Sequence, residues 1–185
     1  MSKSVPHESA HLHVTGNATF ADDIPQLEGT LFVALFISEK AHANIQSIDF
    51  SAVEASTGFV SILTAEDIPG VNDCGPIIHD NPILANEKVS YIGQPVFAVV
   101  ADSFLNARKA VKKAKVSYEE LDAIFDLNEA DNNNSYVLPP MVLQKGNAQN
   151  KLDQADRKLE GRFKVGGQEH FYLEGQVAYA VPKED

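Results

Sequence analysis

The stretch Pro95-Val-Phe-Ala-Val-Val-Ala-Asp-Ser-Phe-Leu-Asn-Ala-Arg-Lys-Ala-Val-Lys-Lys-Ala-Lys-Val-Ser-Tyr-Glu-Glu-Leu121 decides the fold class. Its first seven residues are apolar without a break, as expected of a strand covered on both faces. Asp102 or Ser103 then offers a side-chain oxygen to a helix start. Ala107, Ala110, Val111 and Ala114 recur at i, i+3, i+4 and i+7, with Arg108, Lys109, Lys112 and Lys113 on the wet face. Strand character resumes at Val116-Ser-Tyr-Glu-Glu-Leu121. Strand, helix and strand in so short a span predict a mixed α+β domain.

Upstream, Leu31-Phe-Val-Ala-Leu-Phe-Ile37 is continuously apolar and predicts a second strand buried on both faces. Ile45, Ile48 and Phe50 suggest another. Ser51-Ala-Val-Glu54 has the form of a capping box, in which hydroxyl and carboxylate each satisfy an orphan amide at a helix start. Gly58 would end that short helix, and Phe59-Val-Ser-Ile-Leu63 reads as a strand. Thr64-Ala-Glu-Asp67 repeats the capping signature for a single turn closed by Pro69-Gly70. Residues 71–88 hold Gly75-Pro76 and Asn81-Pro82 with no sustained periodicity, so they predict a long surface excursion. The N-terminal residues are polar, with turns expected at Val14-Thr-Gly-Asn17 and Ala21-Asp-Asp-Ile-Pro25.

Downstream, Asp131-Asn-Asn-Asn-Ser135, Pro139-Pro140 and Lys145-Gly-Asn147 break the pattern. Residues 126–150 therefore read as an extended linker. Beyond it, Lys158-Leu-Glu-Gly-Arg-Phe-Lys-Val165 and Gln176-Val-Ala-Tyr-Ala-Val181 look like strands. Two strands make no stable sheet, so they are expected to open a second domain whose remainder lies elsewhere.

Composition narrows the function classes. The 185 residues carry 15 Lys+Arg against 26 Asp+Glu, a formal charge of -11. No basic cluster is present to track phosphates, which excludes neither fold nor chemistry but argues against nucleic acid and against an anionic membrane surface. Hydrophobic residues make up 44%, enough for a core. The single cysteine, Cys74, cannot form an internal disulfide, a cysteine-rich zinc site or a cysteine-ligated iron–sulfur cluster. With no secretory signal and no apolar run of membrane-spanning length, a cytoplasmic protein is expected.

Several side chains are candidates for chemistry. His11-Leu-His13 puts two imidazoles on one side of an extended segment, where Glu8 or Asp22 could join a metal; surface histidines are the simpler reading, because two ligands make no site. His42 sits between strands as a pH-sensitive contact or, more simply, a satisfied loop histidine. Asp22-Asp23 and Glu119-Glu120 are carboxylate pairs, yet neighbours on a strand point to opposite faces, which suits solvated surface better than acid–base work. Cys74 has no basic neighbour in sequence to lower its pKa. Gly166-Gly167 lacks the spacing of a phosphate loop. The segment Gly166-Gly-Gln-Glu-His-Phe-Tyr-Leu-Glu174 differs, since two glycines that allow close backbone approach precede polar groups including Gln168, which can donate and accept. It reads equally as a cofactor contact or as a bulged strand with Gln168 and His170 on its outer face.

At these residues the chain resembles a known family. Gly166-Gly-Gln-Glu-His-Phe-Tyr-Leu-Glu-Gly175 followed by Val177-Ala-Tyr-Ala-Val-Pro182 is similar to the motif opening the molybdenum-binding region of the xanthine dehydrogenase and aldehyde oxidase family. Ser4-Val-Pro-His-Glu-Ser9, His13-Val-Thr-Gly16, Asp22-Asp-Ile-Pro25, Ala41-His-Ala43, Leu63-Thr-Ala-Glu-Asp-Ile-Pro-Gly70, Gly93-Gln-Pro95 and Leu138-Pro-Pro140 extend the resemblance along nearly the whole chain, most closely to the molybdopterin-binding large subunit of bacterial xanthine dehydrogenases.

The resemblance implies an N-terminal extension at residues 1–11, an alpha/beta hammerhead domain at 12–125, a linker at 126–157 and the truncated start of a molybdopterin-binding domain at 158–185. It implies hydroxylation of an electron-poor carbon of a purine or aldehyde with oxygen from water, the electrons leaving through 2Fe-2S clusters and FAD to NAD. By the same resemblance Gln168 contacts the oxo ligand of the molybdenum centre, positioning and tuning the metal rather than serving as acid, base or nucleophile. The catalytic glutamate and substrate pocket are expected beyond Asp185, and Glu174 is not that glutamate. The iron–sulfur clusters and FAD are expected on a partner subunit. The chain ends at Pro182-Lys-Glu-Asp185, after a strand that needs partners, so a fragment inactive by itself is expected. The alternative is a stand-alone hammerhead module for binding or assembly.

Overall fold

A computed structural model describes residues 4–172 and 175–182. Residues 27–139 form one compact unit, and residues 1–26 with 140–185 group as another.

The first unit holds two three-stranded antiparallel sheets. In one, β1 (Phe32–Ile37), β3 (Phe59–Leu63) and β5 (Pro95–Ala101) lie in the order β1-β5-β3. In the other, β2 (Ala43–Asp49), β4 (Lys88–Val89) and β6 (Lys115–Glu120) lie in the order β4-β2-β6. The unbroken apolar run of β5 is explained by its central place, where Val96 to Ala101 are all buried. Helix α3 (Phe104–Val111) begins at Ser103, whose hydroxyl accepts from the Asn106 amide at 3.3 Å. It buries Ala107, Ala110 and Val111, as the helical spacing predicts. Both sheets and α3 feed one core, with Phe97 stacked on Phe36 at 4.7 Å and edge-on to Phe50 at 4.9 Å.

β1 departs from the expectation of burial on both faces. It is an edge strand, and Val33, Leu35 and Ile37 are half exposed. An apolar run does not distinguish a strand flanked on both sides from one flanked on one. The short helix α2 (Ser51–Glu54) forms where expected, but its cap differs. Asp49 rather than Ser51 satisfies the start: its Oδ1 accepts from the Ser51 amide at 2.9 Å and from the Ser51 hydroxyl at 2.6 Å. At the turn Ala65–Asp67 the carboxylate half of the predicted cap forms: Asp67 Oδ2 accepts from the Thr64 amide at 2.7 Å and from the Thr64 hydroxyl at 2.8 Å, while the Asp67 amide donates to the Thr64 carbonyl at 3.1 Å rather than to the hydroxyl.

Gly58 ends the α2 turn at φ 72°, and a Cβ there would lie 2.1 Å from Asp102 Oδ1 and 2.6 Å from Asn106 Nδ2. Those atoms bond each other at 2.7 Å, and the Gly58 carbonyl accepts from the Asp102 amide at 2.9 Å, tying β3 to the head of α3. Gly58→Ala should therefore destabilise the unit by about 1–2 kcal/mol, combining left-handed strain with displacement of the Asp102 and Asn106 side chains and loss of the bond between them. A urea midpoint equal to that of the parent chain would refute this.

The excursion at residues 71–88 is organised by Asp73. Its Oδ1 accepts from the amides of Gly75 at 3.1 Å and Asn81 at 3.0 Å, and its Oδ2 meets His79 Nδ1 at 2.5 Å. Asn72 clamps Leu84 from both sides, donating to its carbonyl at 2.7 Å and accepting from its amide at 3.0 Å. The excursion is thus a pinned loop. Asp73→Ala removes three partners at once, and we expect much faster limited proteolysis within 71–88 with the core strands still protected.

The extended linker read at 126–150 contains two short helices. In α4 (Leu127–Asn132), Asp126 Oδ1 accepts from the amides of Asn128 and Glu129 at 2.9 and 3.1 Å. In α5 (Ala148–Asp153), Asn147 Oδ1 accepts from the Asn150 amide at 2.9 Å. Asn and Asp suit caps as well as turns, which is why composition alone missed both. In the second unit, α1 (Ala10–Thr15) is closed by Gly16 at φ 73°, so the turn expected at Val14 to Asn17 is a helix terminus. Neither residues 158–165 nor 176–181 form a strand. Leu159, Phe163 and Val165 are exposed, because a lone strand has neither ladder partner nor core to hold it.

Asp49, Asp67, Asp73 and Asp126 share one electrostatic feature. Each carboxyl is held below its ordinary value of 3.8. The chief causes are the Ser51 hydroxyl for Asp49, and the amides of Thr64, Gly75 and Glu129 for Asp67, Asp73 and Asp126. A depressed folded pKa adds stability above the unfolded value and loses it as pH falls through the folded value. Urea midpoints should be flat from about pH 7 to 5 and fall below about pH 4; midpoints that rise on acidification would contradict these assignments.

Candidate functional site

The singled-out histidines do not converge. His11 and His13 lie on helix α1, not on an extended strand, so at 100° per residue their side chains diverge. Among the described residues no group of three His, Cys, Asp or Glu could hold a metal ion. Asp23 is a turn cap, its Oδ2 accepting from the Phe20 amide at 3.0 Å. His42 is a satisfied loop histidine whose Nδ1 lies 2.7 Å from the Asp122 carbonyl oxygen. Glu119 and Glu120 go to different partners, Glu119 accepting from Asn44 and Gln46 at 3.1 and 2.9 Å and Glu120 pairing with Lys40. Cys74 is exposed, with Sγ 3.3 Å from the Asn81 carbonyl oxygen. None of these arrangements leaves a group poised for catalysis. Sequence reasoning missed the Asp73–His79 pair, although an aspartate two residues before Gly75-Pro76 is a usual organiser of turns.

The segment from Gly166 to Tyr172 is irregular and exposed. A Cβ at Gly166 or Gly167 would meet nothing within 4 Å, so neither glycine is needed here for close approach to another group. The His170 and Tyr172 rings stack at 5.8 Å, and Phe171 sits at φ 52° with its ring in solvent. Leu173 and Glu174 lie outside the described residues. Gln168 is exposed and contributes one amide. One exposed amide and two unfilled glycines do not compose a cofactor site, so these residues by themselves do not fit a molybdenum group.

What the segment belongs to is settled by likeness. Residues 15–122 match the family described as aldehyde oxidase and xanthine dehydrogenase, a/b hammerhead domain. The chain belongs to the aldehyde oxidase and xanthine dehydrogenase family. Residues 127–185 match the molybdopterin cofactor-binding domain, so the hammerhead is followed by the start of the molybdenum-binding region. Aldehyde oxidase 2 of Rattus norvegicus is 42% identical over 184 residues, covering 99% of this chain and 13% of that protein. Xanthine dehydrogenase of Oryza sativa subsp. japonica is 42% identical over 185 residues, covering 98% of this chain and 14% of that protein. Among solved structures, the aldehyde oxidoreductase from Desulfovibrio desulfuricans superposes with a TM-score of 0.61 at 35% identity, covering 69% of this chain and 15% of that one. A Cu,Mo-CO dehydrogenase superposes with a TM-score of 0.60 at 32% identity, over 68% of this chain and 16% of that one. The chain thus spans 13 to 14% of the length of these curated relatives. Among the described residues no helix is long and apolar enough to cross a membrane.

Proposed function

We propose that the chain is a portion of a molybdenum hydroxylase of xanthine dehydrogenase type, acting on hypoxanthine and xanthine in cytoplasmic purine catabolism. The observation that supports the molybdenum-hydroxylase part of this reading is the ordered match of a hammerhead domain and then a molybdopterin cofactor-binding domain along one chain. In the complete protein the molybdenum–molybdopterin group would supply hydroxylation with oxygen from water. This chain's part there would be structural support from the hammerhead and, with the rest of the domain in place, one amide from Gln168 to help hold the molybdenum group. Its domain limits are proposed as 1–11, 12–125, 126–157 and 158–185. With one cysteine in 185 residues, the 2Fe-2S clusters must be held elsewhere, which we assign with FAD to a partner subunit.

A second reading, aldehyde oxidation, is favoured by the 42% identity to rat aldehyde oxidase 2. Turnover of xanthine against an aromatic aldehyde by the complete protein separates them. The purine reading predicts a kcat/KM for xanthine at least tenfold above that for the aldehyde, and the reverse order would overturn it. The compact unit at 27–139, with a buried core of its own, supports the other alternative, a stand-alone hammerhead module without catalysis. An open reading frame continuing into the rest of the molybdenum domain would sink that alternative.

A further inference from the structure

The open edge of β1 borders a trough of about 1050 Å³. Residues 33–37 line it without a gap. Successive side chains of a strand point to opposite faces, so a groove lined by five in a row runs along the strand's edge, where backbone groups are unpaired. β6, also terminal in its sheet, and α3 supply the other walls.

The wall chemistry is opposite to that of the chain as a whole. Arg108, Lys112 and Lys115 face the trough with Glu39 as its one carboxylate, in a chain whose formal charge is -11. Lys40 also lines it but is paired with Glu120. Tyr118 closes the same trough beside Val116.

We propose that the trough receives an extended segment carrying both acidic and apolar residues, added as a strand to the edge of β1. Its source is the part of the complete protein outside these 185 residues, a point that rests on the reading of the chain as a portion of a larger enzyme. The lengths support that source, since the chain covers 13 to 14% of its curated relatives. Ladder bonds to β1 give the affinity, the apolar side chains cover Val33, Leu35 and Ile37, and carboxylates meet Arg108, Lys112 and Lys115. A second copy is the poorer occupant, because a two-fold pairing would bring Arg108 and Lys112 of both copies together.

Hydrogen exchange of amides 33–37, compared between the 185-residue chain and the complete protein, tests this directly. The expected result is exchange at least tenfold slower in the complete protein. The double variant Arg108→Glu/Lys112→Glu should return it toward the rate of the short chain, with unchanged circular dichroism showing that the exposed substitutions leave the fold intact. Equal exchange in the two proteins overturns the proposal, as does protection of 33–37 in the short chain that grows with its concentration. Molybdenum content read on the same samples keeps the two ideas apart: a molybdenum-loaded protein with unprotected 33–37 refutes the docking alone, and a protected but molybdenum-free protein refutes the hydroxylase reading alone.

Discussion

Phe97→Ala should cost about 3–5 kcal/mol, a large share of the roughly 5–15 kcal/mol that holds a folded domain together. Phe97 is fully buried in the central strand β5, between β1 and β3. Its ring stacks on Phe36 and meets Phe50 edge-on, so truncation removes transfer energy and two ring contacts together. The site cannot collapse readily, because both neighbouring strands hold β5 in register at this position or one close to it. Thermal melts should show a fall of roughly 10–20 °C. Phe97→Leu keeps most of the volume and should cost less than half as much. A change under about 1 kcal/mol for the alanine variant would show that the core is not organised around this ring.

The second large effect is expected at Gln168. In the complete protein, Gln168→Ala should lower kcat by about 10–100-fold, the range found when an outer partner of a metal centre is removed. KM should change little, because the proposed contact is to the metal's ligand and not to substrate. The molybdenum spectrum should shift together with kcat, a readout that a merely structural glutamine would not move. Unchanged turnover with an unchanged spectrum would remove Gln168 from the account. In the 185-residue chain the same variant should leave stability unaltered, since Gln168 is exposed there.

Legibility differed between the two halves of the chain for physical reasons. β5, α3, β3 and the Thr64–Asp67 turn are readable because each is specified locally: an unbroken apolar run, a helical period, a carboxylate that caps its own turn. β1 was placed correctly but its burial was not, since neighbours in a sheet are a tertiary property. α4 and α5 were hidden by Asn-rich sequence whose caps, Asp126 and Asn147, look like turn residues. The paired imidazoles at His11 and His13 were misread because Ala10–Thr15 is too short to announce its helical period. The strands expected at 158–165 and 176–181 need partners that these 185 residues do not supply, so their alternation is visible while their structure is not. For the same reason Gln168 was found through motif resemblance, and its isolated geometry adds no pocket around it.

On the proposed reading these residues are one portion of a molybdenum enzyme and do not complete its metal site by themselves. Molybdenum analysis of the purified 185-residue chain beside the complete protein decides this. The prediction is stoichiometric molybdenum on the complete protein and none on the 185-residue chain. Stoichiometric molybdenum on the short chain, or none on the complete protein after cofactor-replete expression, would contradict it.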